Sequence, residues 1–176
     1  MKNEYKLDPA HSSAQFTVRH MMITNVRGGF SGVQGTARFD PQDLPGSSLD
    51  VVIDATTVNT QEPQRDAHLK SADFLDVAVY PAITFKSTTI AAAGDSELSI
   101  TGDLTIHGVT KSVVLTVEGP TPESKDPWGN TRIGASGTTK IKRSDFGLLW
   151  NSALETGGIL VGDDLKIALD VSLIKA

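Results

Sequence analysis

The segment Thr60-Gln61-Glu62-Pro63-Gln64-Arg65-Asp66-Ala67-His68-Leu69-Lys70-Ser71 gathers the groups best able to move a proton or hold an anion. Arg65 and His68 lie three apart, so a helix puts them on one face, with Asp66 between them in sequence. An acid, a base and a cation are ingredients of general acid–base catalysis. No nucleophile–base spacing accompanies them, so no catalytic set is assigned. An Arg65–Asp66 pair that braces a helix is the simpler reading. The four histidines, His11, His20, His68 and His107, fall in separate segments without His-x-His or His-Glu-x-x-His spacing, and cysteine is absent. No metal site is expected from that pattern. His20 continues the apolar phase of Ala14, Phe16 and Val18, which suits a core histidine or a head-group contact at a barrel mouth. Arg143, in Arg143-Ser144-Asp145-Phe146-Gly147, shares the phase of Thr139 and Ile141. A cation facing inward needs a carboxylate or open water. His20, Arg65, His68 and Arg143 are therefore the candidate head-group or mouth residues.

These side chains must be positioned by strands. Polar and apolar residues alternate strictly in Ser99-Ile100-Thr101-Gly102-Asp103-Leu104-Thr105-Ile106-His107 and in Ser112-Val113-Val114-Leu115-Thr116-Val117. Period-two alternation marks strands wet on one face and dry on the other. With few helices to cover a sheet, the dry faces must meet, as a barrel or a sandwich. The pattern predicts strands near 4–8, 13–21, 26–40, 48–55, 81–91, 96–107, 111–119, 131–142 and 163–174. Gly28, Gly29, Gly32 and Gly35 predict a bend or bulge within 26–40. The exception is a helical segment near 61–76, with Thr60 as N-cap, Pro63 in the first turn and Asp66–Lys70 as a supporting pair. Phe74 and Leu75 then point to one barrel end, as a lid or as a plug. The loop 144–162, with Trp150, would border an opening.

Phase assigns the dry interior. Its channel candidates are Phe16, Val18, His20, Phe30, Val51, Ile53, Phe74, Leu75, Ile83, Phe85, Leu104, Ile106, Val113, Leu115, Ile141, Ile167 and Leu169. Several strands of about a dozen residues, at about 3.3 Å per residue, make an elongated barrel suited to a chain-like guest. Small inner residues such as Ala14, Ala135 and Gly137, with only 2 Trp, 2 Tyr and 6 Phe in the chain, lean toward a hollow interior.

The 176 residues suit one domain. A net charge of −5 without a basic cluster argues against a nucleic-acid partner. No amphipathic helix suggests an interfacial anchor and no segment approaches a membrane span, so stable membrane insertion is not expected. The first eight residues, Met1-Lys2-Asn3-Glu4-Tyr5-Lys6-Leu7-Asp8, lack an apolar signal region. The expected location is cytoplasmic, or periplasmic or secreted if the chain is a processed form.

The chain resembles the YceI-like family in Asp8 through His20 (DPAHSSAQFTVRH), Val26 through Asp40 (VRGGFSGVQGTARFD) and Arg65 through Leu75 (RDAHLKSADFL). Tyr80 through Ser87 (YPAITFKS), Gly102 through Lys111 (GDLTIHGVTK), RSDFG at 143–147 and Val161 through Asp163 extend the match in order. The resemblance implies a single all-β domain over 1–176. Its fold would be an extended eight-stranded antiparallel, lipocalin-like β-barrel with a short helical segment and a hydrophobic channel. It implies a long-chain lipid partner, such as a polyisoprenoid, isoprenoid quinone or fatty acyl derivative, with no other cofactor and no common catalytic set. A homodimer would cover apolar rims. The leading expectation is therefore a lipid carrier. The alternatives are an enzyme acting on a channel-bound lipid through His20 or His68, and a stress-related structural protein with a filled core.

Overall fold

The alternation in 97–117 produces a hairpin whose wet and dry faces fall as its sequence dictates. Ile100, Leu104, Ile106, Leu115 and Val117 are buried, while Asp103, Ser112, Val114 and Thr116 are exposed. The computed structural model describes residues 2–176. Its strands are β1 (Asn3–Leu7), β2 (Ser13–His20), β3 (Thr24–Phe30), β4 (Val33–Phe39), β5 (Ser48–Asp54) and β6 (Ala82–Gly94). They continue with β7 (Glu97–Ile106), β8 (Val109–Glu118), β9 (Ser124–Lys125), β10 (Thr131–Lys142) and β11 (Val161–Lys175). Among the described residues one α-helix, α1 (Pro63–Lys70), lies between β5 and β6.

All pairings are antiparallel. The ring β11–β1–β4–β5–β6–β7–β8–β10 closes through β10 and β11, giving an eight-stranded barrel. β1 and β2 act as two halves of one long strand, because both pair with β11. β3 and β4 are likewise two halves, pairing with β2 and β1 respectively. The expected single strand over 26–40 is thus broken at Ser31-Gly32, where the chain bends as its glycines suggested. The short β9 was not anticipated from the sequence.

Two departures open one end of the barrel. β8 pairs with β10 only over Thr116–Glu118 and Ser136–Thr138, so Val109–Leu115 separate from the rest of β10. β5 ends at Asp54, and β3 meets the following segment through one bridge, Gly29 to Asn59. The opposite end is solid. Tyr5, Leu7, Ile90, Ile100, Val117, Ile133 and Leu173 pack there at 3–7% exposure.

Two further small residues of the barrel wall, Gly28 and Gly102, have a packing cause. A side chain at Gly102 would collide with the Phe85 ring, and one at Gly28 would collide with the Phe16 ring. These glycines make room for aromatic rings rather than for empty space.

Candidate functional site

At the open end the inward residues stay half-exposed even though they face the interior. Phe16, Val18, Ile167 and Leu169 are examples. The reason is a cavity of about 440 Å³ beneath them. That is within the ~300–1,000 Å³ usual for small-molecule sites. Its walls come from β2, β3, β5, β6, β7, β8, β10 and β11, and its cover from α1, the 71–75 turn and the 148–161 loop. The channel expected along the whole barrel therefore occupies one half of it.

Sixteen of the seventeen channel candidates, and all four head-group candidates, line this cavity. Ile141 does not. It is 6% exposed and belongs to the buried core cluster, to which the turn after β10 adds Phe146 and Leu148. The sequence reading missed Leu69, Leu148 and Leu160 as lining residues, and it set Trp150 in a loop bordering an opening without naming it among the channel residues. Leu148, Trp150 and Leu160 lie in the loop after Phe146, where no periodicity ranks one side chain above another.

The cover is built around Thr60. Its amide and hydroxyl both donate to the Asp66 carboxylate at 2.8 and 2.5 Å. Arg65 Nε donates to the same hydroxyl at 2.8 Å, and Nη2 to the Thr60 carbonyl at 2.9 Å. Arg65 and Asp66 thus converge on Thr60 instead of pairing with each other. The expected Asp66–Lys70 pair is also replaced by this hub. The N-cap is Glu62, whose carboxylate accepts from Gln64 N, and the helix spans 63–70 rather than 61–76. Residues 71–79 continue as turns, anchored by the Ser71 hydroxyl donating to the His68 carbonyl at 2.6 Å.

His68 bonds Asp73 through Nε2 at 2.9 Å. Its ring meets Phe74 and Trp150 edge-on at centroid separations of 5.0 and 4.6 Å, and Phe74 lies 5.3 Å from Trp150. Phe74 is 8% exposed. This three-ring cluster spans the cavity's cover, and its polar edge faces Asp73.

Arg143 is only 5% exposed, and neither of the two partners expected from its phase is what holds it. Nε donates to Gly162 O at 2.8 Å, Nη1 to Leu148 O and Trp150 O at 2.7 and 2.9 Å, and Nη2 to Val161 O at 3.2 Å. Four backbone carbonyls take the place of a carboxylate. Burial pulls its pKa below the ordinary arginine value, against the opposing charge of Asp163, yet a guanidinium stays protonated in a protein. Arg143 therefore clips the 148–162 loop onto the barrel. His107, read as turn chemistry, does sit in the β7–β8 turn at φ 54°, against Tyr80.

The exposed members of the cavity lining are Gln15, Arg19 and Gln64. The cavity thus reaches solvent between β2 and the first turn of α1. His20, half-buried, stands beside that mouth. The arrangement is a dry pocket with a few polar groups at its opening. It suits an apolar guest with one polar end.

Residues 5–173 match the model of the YceI-like domain. Protein YceI of Escherichia coli O157:H7 is 41% identical over 147 residues, 82% of this chain and 76% of that protein. The crystal structure of BcnA from Burkholderia cenocepacia superposes with a TM-score of 0.80 at 25% identity, covering 94% of this chain and 98% of BcnA. A polyisoprenoid binding domain from Saccharophagus degradans, implicated in plant cell wall breakdown, superposes with a TM-score of 0.69 at 17% identity over 98% of both chains. This last likeness establishes a shared fold.

Proposed function

Because this chain belongs to the YceI-like domain family, we propose that it binds a long-chain apolar lipid in the barrel cavity and sequesters or carries it. The observation that carries this reading is the 440 Å³ space, walled by Val51, Ile53, Leu104, Leu115 and their neighbours. Apolar chain moved from water into such a space gains roughly 0.8 kcal/mol per buried methylene. A polyisoprenoid, an isoprenoid quinone tail or a fatty acyl derivative all fit that chemistry. The description of the Saccharophagus degradans domain as polyisoprenoid-binding supports the first, through the shared fold.

Polar groups at the mouth orient the guest's polar end. His20 and Arg19 border the opening and are free of the hub that holds Arg65. Binding rather than catalysis is supported by the state of His68, whose Nε2 is engaged by Asp73 and whose ring is packed between Phe74 and Trp150.

Native mass spectrometry of gently purified protein tests the proposal. The expected spectrum contains a co-purified adduct, or one restored by adding long-chain prenols or fatty acids. A spectrum that stays at the bare protein mass under both conditions overturns it.

A further inference from the structure

The β2–β3 turn is made of methionine and isoleucine, where a hairpin ordinarily takes asparagine and glycine. Met21 and Met22 both have positive φ, 51° and 62°, and Ile23 N returns to His20 O at 3.2 Å. Consecutive left-handed residues define the turn type for which Asn-Gly is the favoured sequence. Side chains bearing a Cβ are disfavoured in that region. The turn nevertheless presents Met21, Met22 and Ile23 to solvent at 43%, 58% and 72% exposure. Strain held in order to expose apolar groups points from structure to function.

The tip does not stand alone. Met21 N donates to Leu160 O at 2.7 Å, and Met22 lies over Gly158, where a Cβ would collide with its sulfur. The facing loop adds Ile159 at 43% exposure. These side chains form one apolar prominence next to Arg19 and His20, at the mouth of the cavity.

A row of cations lies behind it. Register places Lys140 opposite Lys166, Lys166 opposite Thr17, and Thr17 opposite Arg27. All three cations are exposed on the outer face, as are Lys142 and Arg19 closer to the tip. Asp164 pairs with Lys140 at 3.3 Å, and the Asp163 carboxylate is taken by Ser144. Asp145 and Glu155 are the exposed acids of the flanking loop. A basic band beside an apolar tip is unexpected in a chain of net charge −5. Together they match an anionic bilayer, whose surface attracts lysine and arginine while its acyl boundary accepts methionine and isoleucine.

We propose that the Met21–Ile23 hairpin, backed by Arg27, Lys140 and Lys166, docks on an anionic lipid surface and sets the cavity mouth against it. The contact is peripheral, and no helix among the described residues is long and apolar enough to cross a membrane. Docking would let a lipid pass between bilayer and barrel without crossing water. That consequence rests on the lipid-carrier reading, whereas the docking surface does not.

The test is co-sedimentation of the purified chain with phosphatidylcholine vesicles, with and without 30% phosphatidylglycerol, at low and high salt. The expected result is binding to the anionic vesicles that weakens at high salt. It should fall at least tenfold in Met22→Asp/Ile23→Asp and several-fold in Arg27→Glu/Lys166→Glu. All four positions are exposed, and an unchanged circular-dichroism melt verifies that each variant folds. Absence of vesicle binding, or binding indifferent to both variants, overturns the proposal. So does a dimer that Ile23→Asp disperses with no vesicle binding, since that assigns the face to a second copy. Uptake of detergent-dispersed lipid, measured on the same variants, fails only if the carrier reading fails.

Discussion

The imidazole of His68 meets the indole of Trp150 edge-on, with ring centroids 4.6 Å apart, and so joins α1 to the 148–161 loop across the cavity. An edge-to-face pair is worth about 0.5–1.5 kcal/mol beyond the area it buries. The cover is therefore held by a modest contact that a guest can displace or reinforce.

Trp150 should report occupancy. It is one of two tryptophans, and the other, Trp128, is 78% exposed on the loop after β9. Titration with a long-chain fatty acid is expected to shift Trp150 emission to the blue. Trp150→Phe should lose the response and Trp128→Phe should keep it. If Trp128→Phe abolishes the change instead, the guest is binding elsewhere.

The two halves of the barrel should answer oppositely to an added ring. Val113 is half-buried and lines the cavity, whereas Ile100 is 5% exposed in the packed half. Val113→Phe fills space and is expected to change stability by less than about 1 kcal/mol, while Ile100→Phe overpacks and costs about 1–3 kcal/mol. Lipid capacity should drop tenfold or more in Val113→Phe. Urea melts and lipid titrations of both variants check this pair, and equal destabilisation would mean that the cavity is not open space.

Much of this interior was legible from the sequence, because a period of two fixes which side chains face inward. Phase alone led to Phe16, Leu104 and Leu115. It could not say where the barrel is hollow. Ile100 and Leu104 share a phase and a strand, yet only Leu104 lines the cavity, because β8 and β10 part company beyond Thr138. Register was equally hidden. Lys140, Lys166 and Arg27 are far apart in the chain and become neighbours only through strand pairing. The partners of Arg143 were beyond reach for another reason. A backbone carbonyl is present at every residue, so sequence cannot single out the four that a loop turns toward one guanidinium.

Those four carbonyls make Arg143 the pin of the loop. Arg143→Met takes this donor from all four in a site only 5% exposed, and Val161 O alone keeps a second side-chain donor, Asn151 Nδ2 at 2.8 Å. Each acceptor left dry costs about 1–3 kcal/mol, partly relieved by loop movement, so a loss of about 3–5 kcal/mol is expected. Arg143→Lys should recover only part, because an ammonium cannot reproduce the planar fork. Hydrogen exchange at the amides of 148–161 should rise in both variants. If thermal melts of Arg143→Met match the parent, the clip is not holding the loop.

At the solid end, Arg132 couples stability to acid. It donates to Asp126 at 2.6 Å and to Asp8 at 2.7 Å, with both carboxylates nearly out of solvent. Its bond to Asp8, with help from His11, holds that carboxyl down to about 2. Its bond to Asp126 holds that group well below the ordinary aspartate value, against the opposing effect of burial. Folded values lower than unfolded ones mean that this stabilisation is complete above the usual carboxylate range and is lost as pH falls through it toward 2. The melting temperature should therefore decline steeply below about pH 4. Arg132→Gln should start lower at pH 7 and fall less steeply, with the two curves drawing together as pH falls and meeting only below both folded carboxyl values. Some slope will persist, since Glu123, bonded to Lys175, and Asp163, bonded to Ser144, are also held low. A variant that keeps the full parental slope would assign the acid sensitivity to those groups instead.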